Sequence, residues 1–152
     1  MNNSAIYKIM NIIATLILIA TTLILAFNWP QIPDQVPTHF GLNGEADAYG
    51  GKIMLIFFDL LAWGLLVGMS ILVKYPDKWN YPVKVTEENK TRLYALGRAM
   101  LEITKLFITV LFAMIIIGIS LSAEIPQVLV IILVAVLLII SFGFIYLMKK
   151  CA

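Results

Sequence analysis

The residues with the most chemistry to offer lie in one connector, WPQIPDQVPTHFGLNGEADAYGGK, residues 29–52. It holds His39, the single histidine of the chain, with Asp34, Glu45, Asp47 and Lys52 around it. An imidazole beside carboxylates could hold a divalent metal or pass a proton. The same side chains could instead bond the connector's own backbone and fix it as a cap. There is no HExxH, and one histidine without a recognised ligand spacing falls short of the donors a zinc hydrolase needs. The connector therefore implies no metal, no cofactor and no catalytic group. Asp34, His39, Glu45, Asp47 and Lys52 stand as ligand-binding candidates.

Asp59 is the next candidate, because it is the lone charge in the apolar run 53–73. Six residues into a helix lies about 9 Å below the outer boundary at about 1.5 Å per residue. A carboxylate at mid-span costs about 2.5–3.5 kcal/mol on insertion scales, and somewhat less at this depth. Lys52 lies seven residues earlier on the same face, so a Lys52–Asp59 contact is expected, and Trp63 and Ser70 continue that face. A proton relay would need a second acid within the membrane, and Glu102 falls near the inner edge. Asp59 is then either structural, bonded to Lys52 or a loop amide, or part of a ligand site.

A third group is cationic. Thr86 reads as a helix N-cap followed by Glu87 and Glu88, where acidic groups suit the helix dipole. Glu88–Arg92 and Arg98–Glu102 are spaced as i,i+4 pairs, so a helix is expected from about Glu87 into the next apolar run. Lys90, Arg92, Arg98 and Lys105 on it are candidates for gripping anionic lipid or docking a protein. They could equally form a solvated face that serves topology alone.

The elements that must position these groups follow from composition. The chain has 152 residues, 61% of them hydrophobic and 13% charged, where a soluble domain has about 45–50% and about 25%. With a mean hydropathy of +0.94, a water-soluble globule of this size is excluded, since it could not hide so much apolar surface. Residues 9–28, 53–73, 103–123 and 125–148 are each long enough to cross a core that takes about 20 helical residues. The runs are continuously apolar rather than alternating, so helices are expected and not barrel strands. The first run is too long for a signal peptide and lacks a small-x-small cleavage pattern before Asn28-Trp29-Pro30, so it reads as a retained helix. The fold class is an all-α integral membrane protein: four transmembrane helices with an ordered extracytoplasmic loop, 29–52, between helices 1 and 2.

Ten of the eleven basic residues fall on one side of such a map, and only Lys52 on the other. The positive-inside rule then puts both termini and the loop and helix 74–102 in the cytoplasm of a cell membrane. Segment 74–85, KYPDKWNYPVKV, is expected to lie extended along the headgroups. In the outer connector Pro30, Pro33 and Pro37 forbid helix, and a short hairpin is expected around residues 41–44. A net charge of +2 gives no reason to expect nucleic acid. The single cysteine, Cys151, excludes an intrachain disulfide framework, and its place after Lys149-Lys150 leaves palmitoylation open.

Ile32-Pro33-Asp34, Pro37, His39-Phe40, Gly44, Asp47, Gly50 or Gly51, and Lys52 entering a helix resemble a known signature. It belongs to the bacterial and archaeal family numbered 1648 among domains of unknown function, which also forms the N-terminal part of the SdpI immunity proteins. The resemblance covers residues 15–73. Asn80-Tyr81-Pro82, Thr86-Glu87-Glu88-Asn89, Tyr94 and Arg98 are similar to the cytoplasmic segment of some members. It implies a multi-pass membrane protein and carries over no catalytic residue. In SdpI relatives the implied role is protection from a secreted toxin peptide and capture of a transcriptional repressor at the membrane. This chain has four spans and no second SdpI-type segment.

The expected function is a non-enzymatic binding or immunity-type protein. Its outer cap and Asp59 would meet a peptide toxin, and its 87–105 helix would meet the lipid bilayer or a cytoplasmic regulator. The alternatives are a small transporter or membrane enzyme using His39, Asp47 and Asp59, or an accessory subunit of a membrane complex.

Overall fold

A computed structural model describes residues 3–41, 45–122 and 127–151. Helix α1 spans Asn3–Asn28, and a two-stranded antiparallel sheet follows, β1 over Gln35–Phe40 and β2 over Ala46–Gly51. Helices α2 (Ile53–Leu72), α3 (Lys90–Ser120) and α4 (Gln127–Lys149) complete the chain. Four helices are thus long and apolar enough to cross a membrane, as the apolar runs predict. The protein is a multi-pass membrane protein built mainly of α-helices.

Helix α3 is the hub, packed against α1, α2 and α4. Ala14, Leu18, Ala62 and Leu66 form the mid-bundle core, where small alanines let α1 and α2 approach. Leu25, Leu55, Ile116 and Ile119 join Ile32 and Val36 in a second core that binds the connector to the helices. The described part of the connector between α1 and α2 is therefore anchored on the bundle as a cap. Its strands pair Gln35 with Gly51 and Val36 with Gly50, and the register slips around His39. Gly41 N–H donates to the Glu45 carbonyl at the closing end of the hairpin. The expected hairpin is present, while its tip residues 42–44, including Gly44, lie outside the described residues. So does the expected turn at Ala123–Glu124–Ile125.

The opposite end of the bundle carries both chain ends, since Tyr7 lies under Arg98 and Asn89 donates to the Cys151 carbonyl at 3.0 Å. Helix α3 begins three residues later than expected, with Asn89 and not Thr86 at its N-cap position, and Thr86 braces the turn that precedes it. Asn89 N–H donates to Thr86 Oγ1 at 3.3 Å, Thr86 N–H donates to Asn89 Oδ1 at 2.8 Å, and Lys90 N–H reaches the Thr86 carbonyl. The reciprocal bonds have the pattern of a capping box, with asparagine in place of glutamate, but they close the turn ahead of the helix.

Segment 74–85 does not simply lie along the headgroups. After one 3₁₀ turn, Pro76–Lys78, Trp79 stacks on Tyr81 and Tyr81 on Tyr94 of α3. Gly97 makes room for this hook, for a Cβ there would stand 2.8 Å from Trp79 Cζ3. Cys151 is buried with Leu93 and Met148.

Candidate functional site

The residues singled out in the sequence fall into three places. At the cap, His39 Nδ1 contacts Asp47 Oδ1 across the strands, and both side chains are exposed. Lys52 Nζ lies 3.1 Å from Asp34 Oδ1, donates to the Ile32 carbonyl at 3.2 Å, and sits 5.3 Å from the Trp29 ring centre. These contacts lock the start of α2 onto the segment 32–34 that leads into the hairpin. His39–Asp47 and Asp34–Lys52 are thus two separate pairs. Among the described residues no group of three or more His, Cys, Asp or Glu is placed to hold a metal.

Asp59 belongs to neither pair. The expected Lys52–Asp59 contact does not form, because Lys52 turns its amine outward, where Asp34 and a free carbonyl lie nearer to water. Asp59 is buried against α1 instead. The Thr22 hydroxyl lies 3.0 Å from both carboxylate oxygens, and Trp63 Nε1 donates to the same hydroxyl at 2.9 Å. The expected face of α2 is correct for Trp63 and Ser70, and α1 covers it.

The third place is a polar knot that sequence reasoning missed. Lys105, expected to face lipid or a partner, is only 2% exposed. Its ammonium donates to Asn11 Oδ1 at 2.7 Å and to Ser70 Oγ at 3.2 Å, and stands 2.8 Å from Glu102 Oε2. Two hydrogen bonds and one ion pair thus surround the ammonium with oxygens from three helices, the company a buried cation needs, while Glu102 Oε2 meets it by charge without a formed hydrogen bond. Glu102 pairs with Lys105 at i,i+3, so the expected Arg98–Glu102 pair is replaced. Arg98 instead lies 5.0 Å from the Tyr7 ring centre. The Glu88–Arg92 pair is also absent among the described residues: Lys90 contacts Glu87, and Arg92 is exposed beside Cys151. The signal for the knot was Asn11 and Ser70, the polar interruptions of two apolar runs near the same end.

Two cavities accompany these groups. One of about 290 Å³ lies beneath β1, lined by Pro37, His39, Phe40, Phe58, Ile119 and Val130 among others. The other, of about 640 Å³, opens between α1, α2 and α3 at the end that bears the chain termini, and reaches the Lys105 knot. In the aromatic hook before α3, Tyr81 is pushed up to about 12, first by burial and then by the neighbouring Tyr94 and Asp77.

The family described as Domain of unknown function (DUF1648) matches residues 16–62. The chain carries a DUF1648 domain. This segment holds the second half of α1, the whole hairpin and the first half of α2, so Thr22, His39, Asp47, Lys52 and Asp59 fall inside it. Asn11, Ser70, Glu102 and Lys105 fall outside, so the polar knot is built entirely from parts of α1, α2 and α3 beyond the matched segment. The match is narrower than the resemblance over 15–73. No curated protein and no solved structure matches the chain.

Proposed function

We propose that this DUF1648 protein is a non-enzymatic receptor of the cell membrane whose hairpin faces outward and binds an amphipathic peptide. A role in toxin-peptide immunity or membrane signalling would be the physiological use of that surface. One observation carries the reading: the apolar groove of about 290 Å³ beneath β1, rimmed by His39. Its walls would take the apolar face of a peptide, and the exposed His39–Asp47 pair its polar face. The hairpin is held by the buried Ile32 and Val36 and by Lys52, so little ordering is left to be done on binding. The outward placement rests on the charge asymmetry, with ten of eleven basic residues at the other end.

The experiment is expression in a cell sensitive to membrane-active peptides, challenged with a panel of apolar and cationic peptides. Protection against at least one, lost in His39→Ala/Asp47→Ala with normal expression, supports the reading. Unchanged killing across the panel overturns it.

A further inference from the structure

We propose that the cavity between α1, α2 and α3 at the end bearing the chain termini binds an anionic phospholipid, headgroup phosphate at its mouth and acyl chain along its wall. This site is remote from the hairpin groove and stands or falls independently of the peptide reading. The cavity has a volume of about 640 Å³, within the range of about 300–1,000 Å³ usual for ligand sites. Four cations line it, Lys8, Lys74, Arg98 and Lys105, against one anion, Glu102. Lys105 already neutralises Glu102 at 2.8 Å. Lys8, Lys74 and Arg98 have no ion-pair partner among the described residues, so the mouth holds three uncompensated positive charges.

Arg98 supplies a second, independent pointer. Its Nε is buried and has no hydrogen-bond partner, although its guanidinium lies 5.0 Å from the Tyr7 ring centre. A buried donor is costly to leave unmet, and a phosphate oxygen is the acceptor that a guanidinium fork matches best. The wall decides between a free anion and a lipid. Ile12, Val67 and Ile71 line the cavity, and each remains about half exposed. A free phosphate gains nothing from that apolar surface, while an acyl chain covers it. The polar groups also sit at the right depth, since about 20 residues back from Ser120 places the hydrocarbon boundary near Leu101, between Arg98 and Lys105.

The test uses the full chain in vesicles of phosphatidylcholine with a minor fraction of phosphatidylglycerol, with retained lipid read by native mass spectrometry. Phosphatidylglycerol should be retained over phosphatidylcholine by about tenfold or more. That preference should fall toward parity in Arg98→Gln and in Lys74→Gln, drop in Val67→Trp, which fills the wall without touching a charge, and persist in Lys84→Gln. Lys74 and Val67 are exposed, so their variants keep the test decisive if the Arg98 variant misfolds. Equal retention of both lipids by the native chain overturns the proposal. So does an undiminished preference in Lys74→Gln and Val67→Trp, or an equal loss in Lys84→Gln, which would mark mere surface charge. Displacement of phosphatidylglycerol by inorganic phosphate would assign the site to a free anion and overturn the lipid.

Discussion

The Lys105 ammonium donates to Asn11 Oδ1 at 2.7 Å, joining positions 94 residues apart. With Ser70 and Glu102 it ties α1, α2 and α3 together within the span. Removing only the cation would strand Glu102, which is 4% exposed. Breaking a buried pair by deleting one partner costs about 3–5 kcal/mol, whereas replacing both by apolar or neutral groups is far milder. Lys105→Met should therefore sharply lower the thermal midpoint in detergent, and Glu102→Gln/Lys105→Met should recover most of the loss. Equal falls in the single and double variants would show that the charge pair is not what holds the helices.

Gly97 offers a steric test of the loop. A methyl group there would meet Trp79 at 2.8 and 3.1 Å and Tyr81 at 3.2 Å. Overpacking of this kind costs about 1–3 kcal/mol, even though alanine is the better helix former. Gly97→Ala should destabilise the protein, and Trp79→Ala in the same chain should relieve part of that penalty. A stabilised Gly97→Ala would mean that the aromatic hook does not rest on α3 in the membrane.

The four spans could be read directly because continuous apolar runs of helical length have few other solutions in lipid. The hairpin was legible from Pro37 and its glycines, a local signal, while the cap chemistry at Thr86 marked the turn before α3 and missed its start by three residues. The Lys105 knot was not. A lysine at the edge of an apolar run looks the same whether its flexible stem points to the headgroups or into the bundle. Only the positions of Asn11 and Ser70, on helices remote in the chain, decide between these. The same holds for Asp59, whose partner Thr22 lies 37 residues away. Counting seven residues back to Lys52 identified the correct face of α2 and the wrong neighbour.

Tyr81 gives the loop a signature in pH. Its phenol is pushed from 10.0 up to about 12, with burial the first cause and Tyr94 and Asp77 next. The fold favours the neutral form, so the stabilisation is complete below pH 10 and disappears as pH rises from 10 through 12. Tyrosinate absorbance of the native chain should show a late phase near pH 12 that is missing in Tyr81→Phe. Loss of that phase in Trp79→Ala as well would tie it to the stacked arrangement, since Trp79 and Tyr81 lie 6.1 Å apart.

The placement of the hairpin outside the cell can be tested with thiols. Cys151 is the one native cysteine and is buried, so Cys151→Ser gives a silent background with little change in charge or size. Asp47 is exposed on β2, and Lys84 is exposed in the loop before α3. In intact cells an impermeant maleimide should label Asp47→Cys and spare Lys84→Cys, and both should react once the membrane is opened. The charge asymmetry makes this the favoured direction because translocating Lys74, Lys78, Lys84 and Arg92 together would carry four cations across the bilayer. The converse labelling would invert the molecule. The His39–Asp47 pair would then face the cytoplasm, and the peptide reading would lose its access to a secreted ligand.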